Sequence, residues 1–159
     1  MEIRKPYRVT RTYTQRLFAE PARVFPLLCP VREADWADGW DPLWVASETG
    51  VAEDGCVFVT PDTPHDAVWM VTRYDPGTGF VEMVMVVPEV TASRLSISLA
   101  PSPAGTDARV TYTHTSLGPE GDAFVAAFTQ EYYEAFMREW EAQLNHYLTT
   151  GEMLRASDG

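Results

Sequence analysis

The sequence predicts an α+β domain in which one long C-terminal helix lies on a curved antiparallel sheet. The helix rests on its apolar spacing. From residue 120 to about residue 147 there is no proline and, after Gly121, no glycine. Phe124, Phe128, Tyr132, Phe136, Trp140, Leu144 and Leu148 recur every fourth residue, with Ala127, Ala135 and Tyr147 beside them. That is a broad apolar stripe at helical spacing, and at ~1.5 Å per residue it predicts a single helix roughly 40 Å long. The sheet rests on residues 7–117, which read almost throughout as strands and turns, with connections short enough for antiparallel pairing. A long helix over a bent sheet leaves a gap lined by large side chains, and such a gap commonly becomes a ligand cavity.

The elements follow in chain order. Residues 7–18 alternate loosely in threonine, arginine and aromatic side chains and predict a first strand. Glu20 and Pro21 resemble a helix start, with Val24, Phe25 and Leu28 as a short apolar face and Pro30 as its end. Residues 31–44 are irregular and dense in tryptophan, with part of the segment predicted as a second short helix stopping at Gly39. Strands are predicted over 43–49 and 56–60, then a proline-bearing loop over 62–66, then a hairpin with arms 67–74 and 80–87 about a tight turn at 75–79. Residues 92–99 place Leu95, Ile97 and Leu99 on one face; residues 109–117 place Val110, Tyr112 and His114 on one face. A turn is predicted over 101–107, and Gly118-Pro119 leads into the long helix. No linker, repeat or low-complexity tract interrupts residues 1–159, which read as one domain.

Composition narrows the functional classes. At 159 residues with 45% apolar side chains, the chain can bury a real core. A net charge of -11 argues against nucleic acid and anionic membrane surfaces, both of which need a basic face. The start has no apolar core of signal-peptide length, and no apolar run is long enough to insert in a membrane. Cys29 and Cys56 form no CxxC pair and define no disulfide framework, so a cytoplasmic protein with reduced thiols is expected. No phosphate loop, nucleophile elbow, HExxH or zinc quartet is present, and neither a metal nor a cofactor is expected.

In this order of elements the chain resembles the START/polyketide-cyclase superfamily (SRPBCC, or helix-grip proteins). The segments that carry the resemblance are EPARVFPLL after the first strand, LLCPVREADWADGW, GCVFVT, GTDARVTYTHTSL as the last strand and YLTTG at the end of the helix. LLCPVREADWADGW and GCVFVT look like a subgroup of small uncharacterised bacterial members. The resemblance implies about seven strands wrapped round the long helix, with two short helices at the end of the groove. It does not fix a function, because the superfamily includes carriers, receptors, cyclases, aromatases and chaperone activators.

Candidate site residues divide by chemistry. Trp36 and Trp40 form either an aromatic gate over a cavity or a plug beneath the short helices. Glu33, close to these indoles, is either a desolvated general acid or a solvated or capping carboxylate. His114 either orients a ligand or moves a proton, or is satisfied by neighbouring tyrosines or water. His65 and His146 are expected at the surface. In the 67–87 hairpin, Arg73 opposite Glu82 leaves two choices of inner face. The favoured one carries Met70, Thr72, Tyr74, Val81, Met83, Met85 and Val87; the other carries Trp69, Val71, Val84 and Val86 with Arg73 and Glu82. Tyr112, Phe128, Tyr132 and Phe136 complete the predicted ligand contacts.

These residues favour a binding or carrier protein for a hydrophobic or amphipathic small molecule held between sheet and helix. The alternatives are a cofactor-free cyclase or aromatase-like enzyme using His114 or Glu33, and a chaperone-activator-like interaction module with a filled interior. A homodimer is left open.

Overall fold

A computed structural model describes residues 1–156; the last three residues of the predicted 1–159 domain lie outside the described residues. Seven strands form one antiparallel sheet: β1 (Arg8–Leu17), β2 (Trp44–Ala46), β3 (Val57–Thr60), β4 (Ala67–Asp75), β5 (Phe80–Val87), β6 (Thr91–Ser102) and β7 (Gly105–Ser116). Their spatial order is β1-β7-β6-β5-β4-β3-β2, so consecutive strands pair everywhere except where β1 closes on β7. Three helices accompany them: α1 (Pro21–Val24), α2 (Pro119–Ala127) and α3 (Gln130–Thr150). Sheet and C-terminal helices enclose one main core, which runs from Leu17 and Val24 through Val71, Val81, Ile97 and Val110 to Met137 and Leu144.

The short elements between β1 and β2 are tighter than the sequence predicts. Pro26 has no N–H to continue α1, and the chain passes into a 3₁₀ turn over Phe25–Leu27. The predicted second helix is a second 3₁₀ turn, Arg32–Asp35. Indole N–H groups fasten this segment to the chain before it: Trp36 Nε1 donates to Leu27 O at 3.0 Å and Trp40 Nε1 to Pro30 O at 2.7 Å. In β2 only three residues of the predicted 43–49 pair. At the β6–β7 hairpin the strands keep pairing into the predicted turn, to Ser102 opposite Gly105. Gly105 has φ +137°, and a Cβ there would sit 2.7 Å from backbone atoms of Leu17 and Ala19.

The predicted single helix is two. Phe128 leaves helical geometry at φ −80°, ψ 64°, and Thr129 restarts it as an N-cap whose hydroxyl accepts the Tyr132 N–H at 3.1 Å. Phe128, just outside the cap, packs on Tyr133 with ring centroids 5.6 Å apart, a hydrophobic staple across the helix start. The inward face of α3 is Tyr133, Met137, Trp140, Leu144 and Leu148. Residues four apart advance about 40° round a 3.6-residue helix, so the every-fourth-residue stripe rotates off the core towards its N-terminal end. Tyr132 is 57% exposed and Phe136 42%.

Polar brackets dock α3 on the edge strand β1 rather than over the centre of the sheet. Gln15 Nε2 donates to Met137 O at 3.2 Å, Asn145 exchanges hydrogen bonds with Phe18 N and Arg16 O, and Glu141 accepts the Arg16 N–H. The edge strand is thereby covered. With α3 held to one side, space remains beneath it over β5, β6 and β7.

Candidate functional site

That space is a cavity of about 360 Å³ that opens to solvent. Its floor is Met83, Leu95, Ile97 and Tyr112 from the central strands, and its far flank is Phe58 and Trp69. The end wall is Leu28, Glu33, Trp36 and Trp40. The roof comes from Phe136, Glu139, Trp140 and Gln143, which are i, i+3, i+4 and i+7 on one face of α3. Exposed Asp38, Gly39, Phe136 and Glu139 form the rim. Rings build much of the wall: Trp36 stacks on Trp140 at 6.0 Å, Phe58 stacks on Trp69 at 5.3 Å, and Trp40 meets Phe58 edge-on at 6.2 Å.

Few polar groups interrupt this apolar lining, and some of them lack partners among the described residues. The Glu33 carboxyl and the Tyr112 hydroxyl have no hydrogen-bond partner among the described residues. The indole N–H of Trp140 is buried and also unpartnered. The 3₁₀ turn aims Glu33: its N–H reaches Cys29 O at 2.8 Å, and its carbonyl accepts from Trp36 and Ala37 N–H groups. Burial pushes the Glu33 carboxyl up to about 8, which leaves it protonated at neutral pH. Glu33 nonetheless keeps some accessible surface, because the cavity supplies open space inside the fold. The Tyr112 hydroxyl is raised by burial first, then by the Glu33 charge and Tyr133.

Several predicted site residues lie elsewhere. A bulge at Thr72 shifts the register of β4 between Val71 and Arg73, so neither continuous face assignment holds. On β5 the methionine face is inward, with Val81, Met83 and Val87 buried. On β4 the inward residues before the bulge are Ala67, Trp69 and Val71, and Tyr74 turns inward after it. Met70, predicted at the cavity, is therefore on the outer face and 45% exposed, opposite Val84. Met85 packs beyond the cavity with Ala67, Val87 and Val90. Arg73 and Glu82 are register partners, but Thr72 Oγ1 donates to Glu82 at 2.9 Å and Arg73 lies 3.8 Å from Asp75.

His114 and Phe128 belong to a filled region at the other end of α3. The His114 ring lies 4.5 Å from Phe128 and 4.9 Å from Phe124, and its Nδ1 is 2.6 Å from Ser93 Oγ. Burial lowers its pKa to about 4, so the ring is neutral. Tyr132 is at the surface against Phe128, outside the cavity. Trp36, Trp40, Met83, Tyr112, Phe136 and Glu33 do come together there. The sequence reading placed Trp69 only on the less favoured hairpin face and missed Phe58 and the Glu139/Gln143 face of α3; the i, i+3, i+4, i+7 spacing of the roof was the available signal. Cys29 and Cys56 are buried, and the Cys29 sulfur accepts the Ala52 N–H at 3.1 Å. Among the described residues, no group of three or more His, Cys, Asp or Glu is placed to hold a metal, and no helix is long and apolar enough to cross a membrane.

A curved seven-stranded sheet, a long C-terminal helix and a cavity between them define a helix-grip fold. No family model matches the chain, and no curated protein sequence does. Solved structures match over most of its length. Norcoclaurine synthase from Thalictrum flavum has a TM-score of 0.65 at 11% identity, covering 91% of this chain and 88% of that one. An uncharacterised protein from Rhizobium leguminosarum has a TM-score of 0.59 at 18% identity, covering 93% and 99%. A protein from Mesorhizobium loti has a TM-score of 0.60 at 14% identity, covering 87% and 98%. At these identities the likeness is one of fold alone.

Proposed function

We propose that this protein binds a small amphipathic molecule, largely apolar and with a polar end, in the cavity under α3. The observation that carries this reading is an apolar, ring-lined space into which two polar groups without partners among the described residues face, Glu33 and Tyr112. Buried polar groups normally have partners, and a cavity that leaves several without one is suited to a guest or ordered water. At about 360 Å³ the space is at the small end of ligand pockets, which favours one compact molecule over a long lipid chain.

Native mass spectrometry of protein purified without detergent tests this reading. The expected result is a retained small molecule, or quenching of tryptophan emission when small aromatic compounds are added, since Trp36, Trp40, Trp69 and Trp140 all line the cavity. A protein that retains nothing and whose emission no such compound changes would overturn it.

A second reading is catalytic. Glu33 is protonated near neutrality, faces the cavity and has no internal partner, which is the state a general acid needs. It predicts turnover that fails in Glu33→Gln while binding survives, and the absence of that separation would remove it. His114 is the weaker catalytic candidate, because rings and Ser93 enclose it and it does not line the cavity.

A further inference from the structure

Resting on the binding reading above, the geometry points to an organic cation as the guest: an amine or quaternary ammonium whose charge sits between the Glu33 carboxylate and the surrounding ring faces. The sign of the lining is the first argument. Its ionisable residues are Glu33, Asp38, Glu139 and Tyr112; among the described residues no lysine, arginine or histidine lines it. An anionic guest would add like charge to an acidic mouth, and nothing in the wall would neutralise it.

Ring density is the second argument. Seven of the seventeen lining residues are aromatic: Trp36, Trp40, Phe58, Trp69, Tyr112, Phe136 and Trp140. The negative faces of aromatic rings attract cations, and tryptophan does so most strongly. The third argument is the missing counter-ion. Arg32, beside Glu33 in sequence, is hydrogen-bonded to Asp35 at 2.7 Å, so it does not serve Glu33. Asp38 accepts the Ala156 N–H at 3.1 Å and lies 4.0 Å from Arg155, so the rim acid already has partners. Among the described residues Glu33 stands half-buried in the end wall with none, and a carboxylate drawn out of water there is stabilised by pairing.

Binding is then linked to a proton. Glu33 holds a proton in the empty cavity and releases it when a cation arrives. Tyr112 on β7 is held protonated by burial, Trp140 and Gln143 on α3 do not ionise, and Glu139 is exposed at the rim.

The test uses the intact protein and three probes of similar size: benzyltrimethylammonium, benzyl alcohol and phenylacetate. The first carries a permanent charge, so any pH dependence belongs to the protein. Affinities are read from tryptophan emission. The expected order at neutral pH is cation, then alcohol, then anion. Cation affinity should rise by up to about tenfold per pH unit from about pH 6 to about pH 8 and then level off. Glu33→Gln should lose that slope and roughly tenfold or more of the cation affinity near pH 8, with benzyl alcohol affected by less than about threefold. Probe order and pH slope need no variant, so a poorly folding Glu33→Gln does not block the test. Phenylacetate binding more tightly than the cation, or cation affinity indifferent to pH, overturns the inference while leaving the cavity reading intact. If none of the three probes binds, both fail.

Discussion

The two ends of the groove under the C-terminal helices are both rich in rings, yet one is solid and the other hollow. At the α2 end, Phe124, Phe128, Tyr133 and His114 interlock, and polar atoms among them are matched at close range: His114 Nδ1 to Ser93, and the Tyr133 hydroxyl to Val110 O. At the other end Trp36, Trp140 and Phe136 stand round open space, and Glu33, Tyr112 and Trp140 have polar atoms without partners. Ring content therefore does not tell a plug from a pocket. Hydrogen-bond satisfaction does, because a filled region must satisfy its polar atoms internally and a binding region must not.

The sharpest way to break this contrast is to remove one ring from each end. Phe128→Ala should destabilise the protein by about 3 kcal/mol or more in urea, as truncation of a packed ring does. Phe136→Ala, at a half-exposed rim position, should change stability by less than about 1 kcal/mol while weakening probe binding. Equal losses would mean that the two ends are packed alike.

Acid and base should separate the ends next. His114 has its pKa lowered from 6.5 to about 4 by burial, so the unfolded state binds the proton first. Stability from this group is present above about pH 6.5 and is lost as pH falls towards about 4, by on the order of 3 kcal/mol. Glu33 is opposite in sign. Its pKa is raised from 4.5 to about 8, so the folded state holds the proton, and its contribution is lost as pH rises from about 4.5 through about 8. Water reaching the carboxyl through the cavity mouth screens part of that shift, leaving on the order of 3 kcal/mol. Urea midpoints across pH should show His114→Gln flattening the acid limb and Glu33→Gln flattening the alkaline one. Each variant altering the other limb would refute the assignment.

Smaller effects sharpen the boundary. Thr129→Ala removes the cap that restarts α3 beside the solid end and should cost about 1 kcal/mol by thermal or urea unfolding. Met70→Ser, on the outer face of β4, should change stability by less than about 0.5 kcal/mol and leave probe affinity unchanged. A loss of probe binding in Met70→Ser would mean that the bulge at Thr72 does not set the inner face.

Much of this architecture was legible in the chain. Alternation in β6 and β7 placed Leu95, Ile97, Leu99, Val110, Tyr112 and His114 inward, and the structure agrees, because a half-buried strand has period two. The break at Thr129 was also readable, since a threonine following an apolar residue at a helix start is a capping signal, but the unbroken apolar stripe obscured it. Met70 was not legible. One extra residue in β4 inverts every later side chain, and only pairing with β5 shows where that residue is.

By itself the sequence determined the order of elements and the apolar face of most of them, because those depend on periods of 2 and 3.6 that a single segment carries. The tertiary structure decided where the hollow lies. Gln15, Glu141 and Asn145 tie α3 to the edge strand, and the indoles of Trp36 and Trp40 fasten the 3₁₀ segment to Leu27 and Pro30. Whether two surfaces meet or stand apart depends on contacts between segments far apart in the chain, and no local pattern encodes that distance.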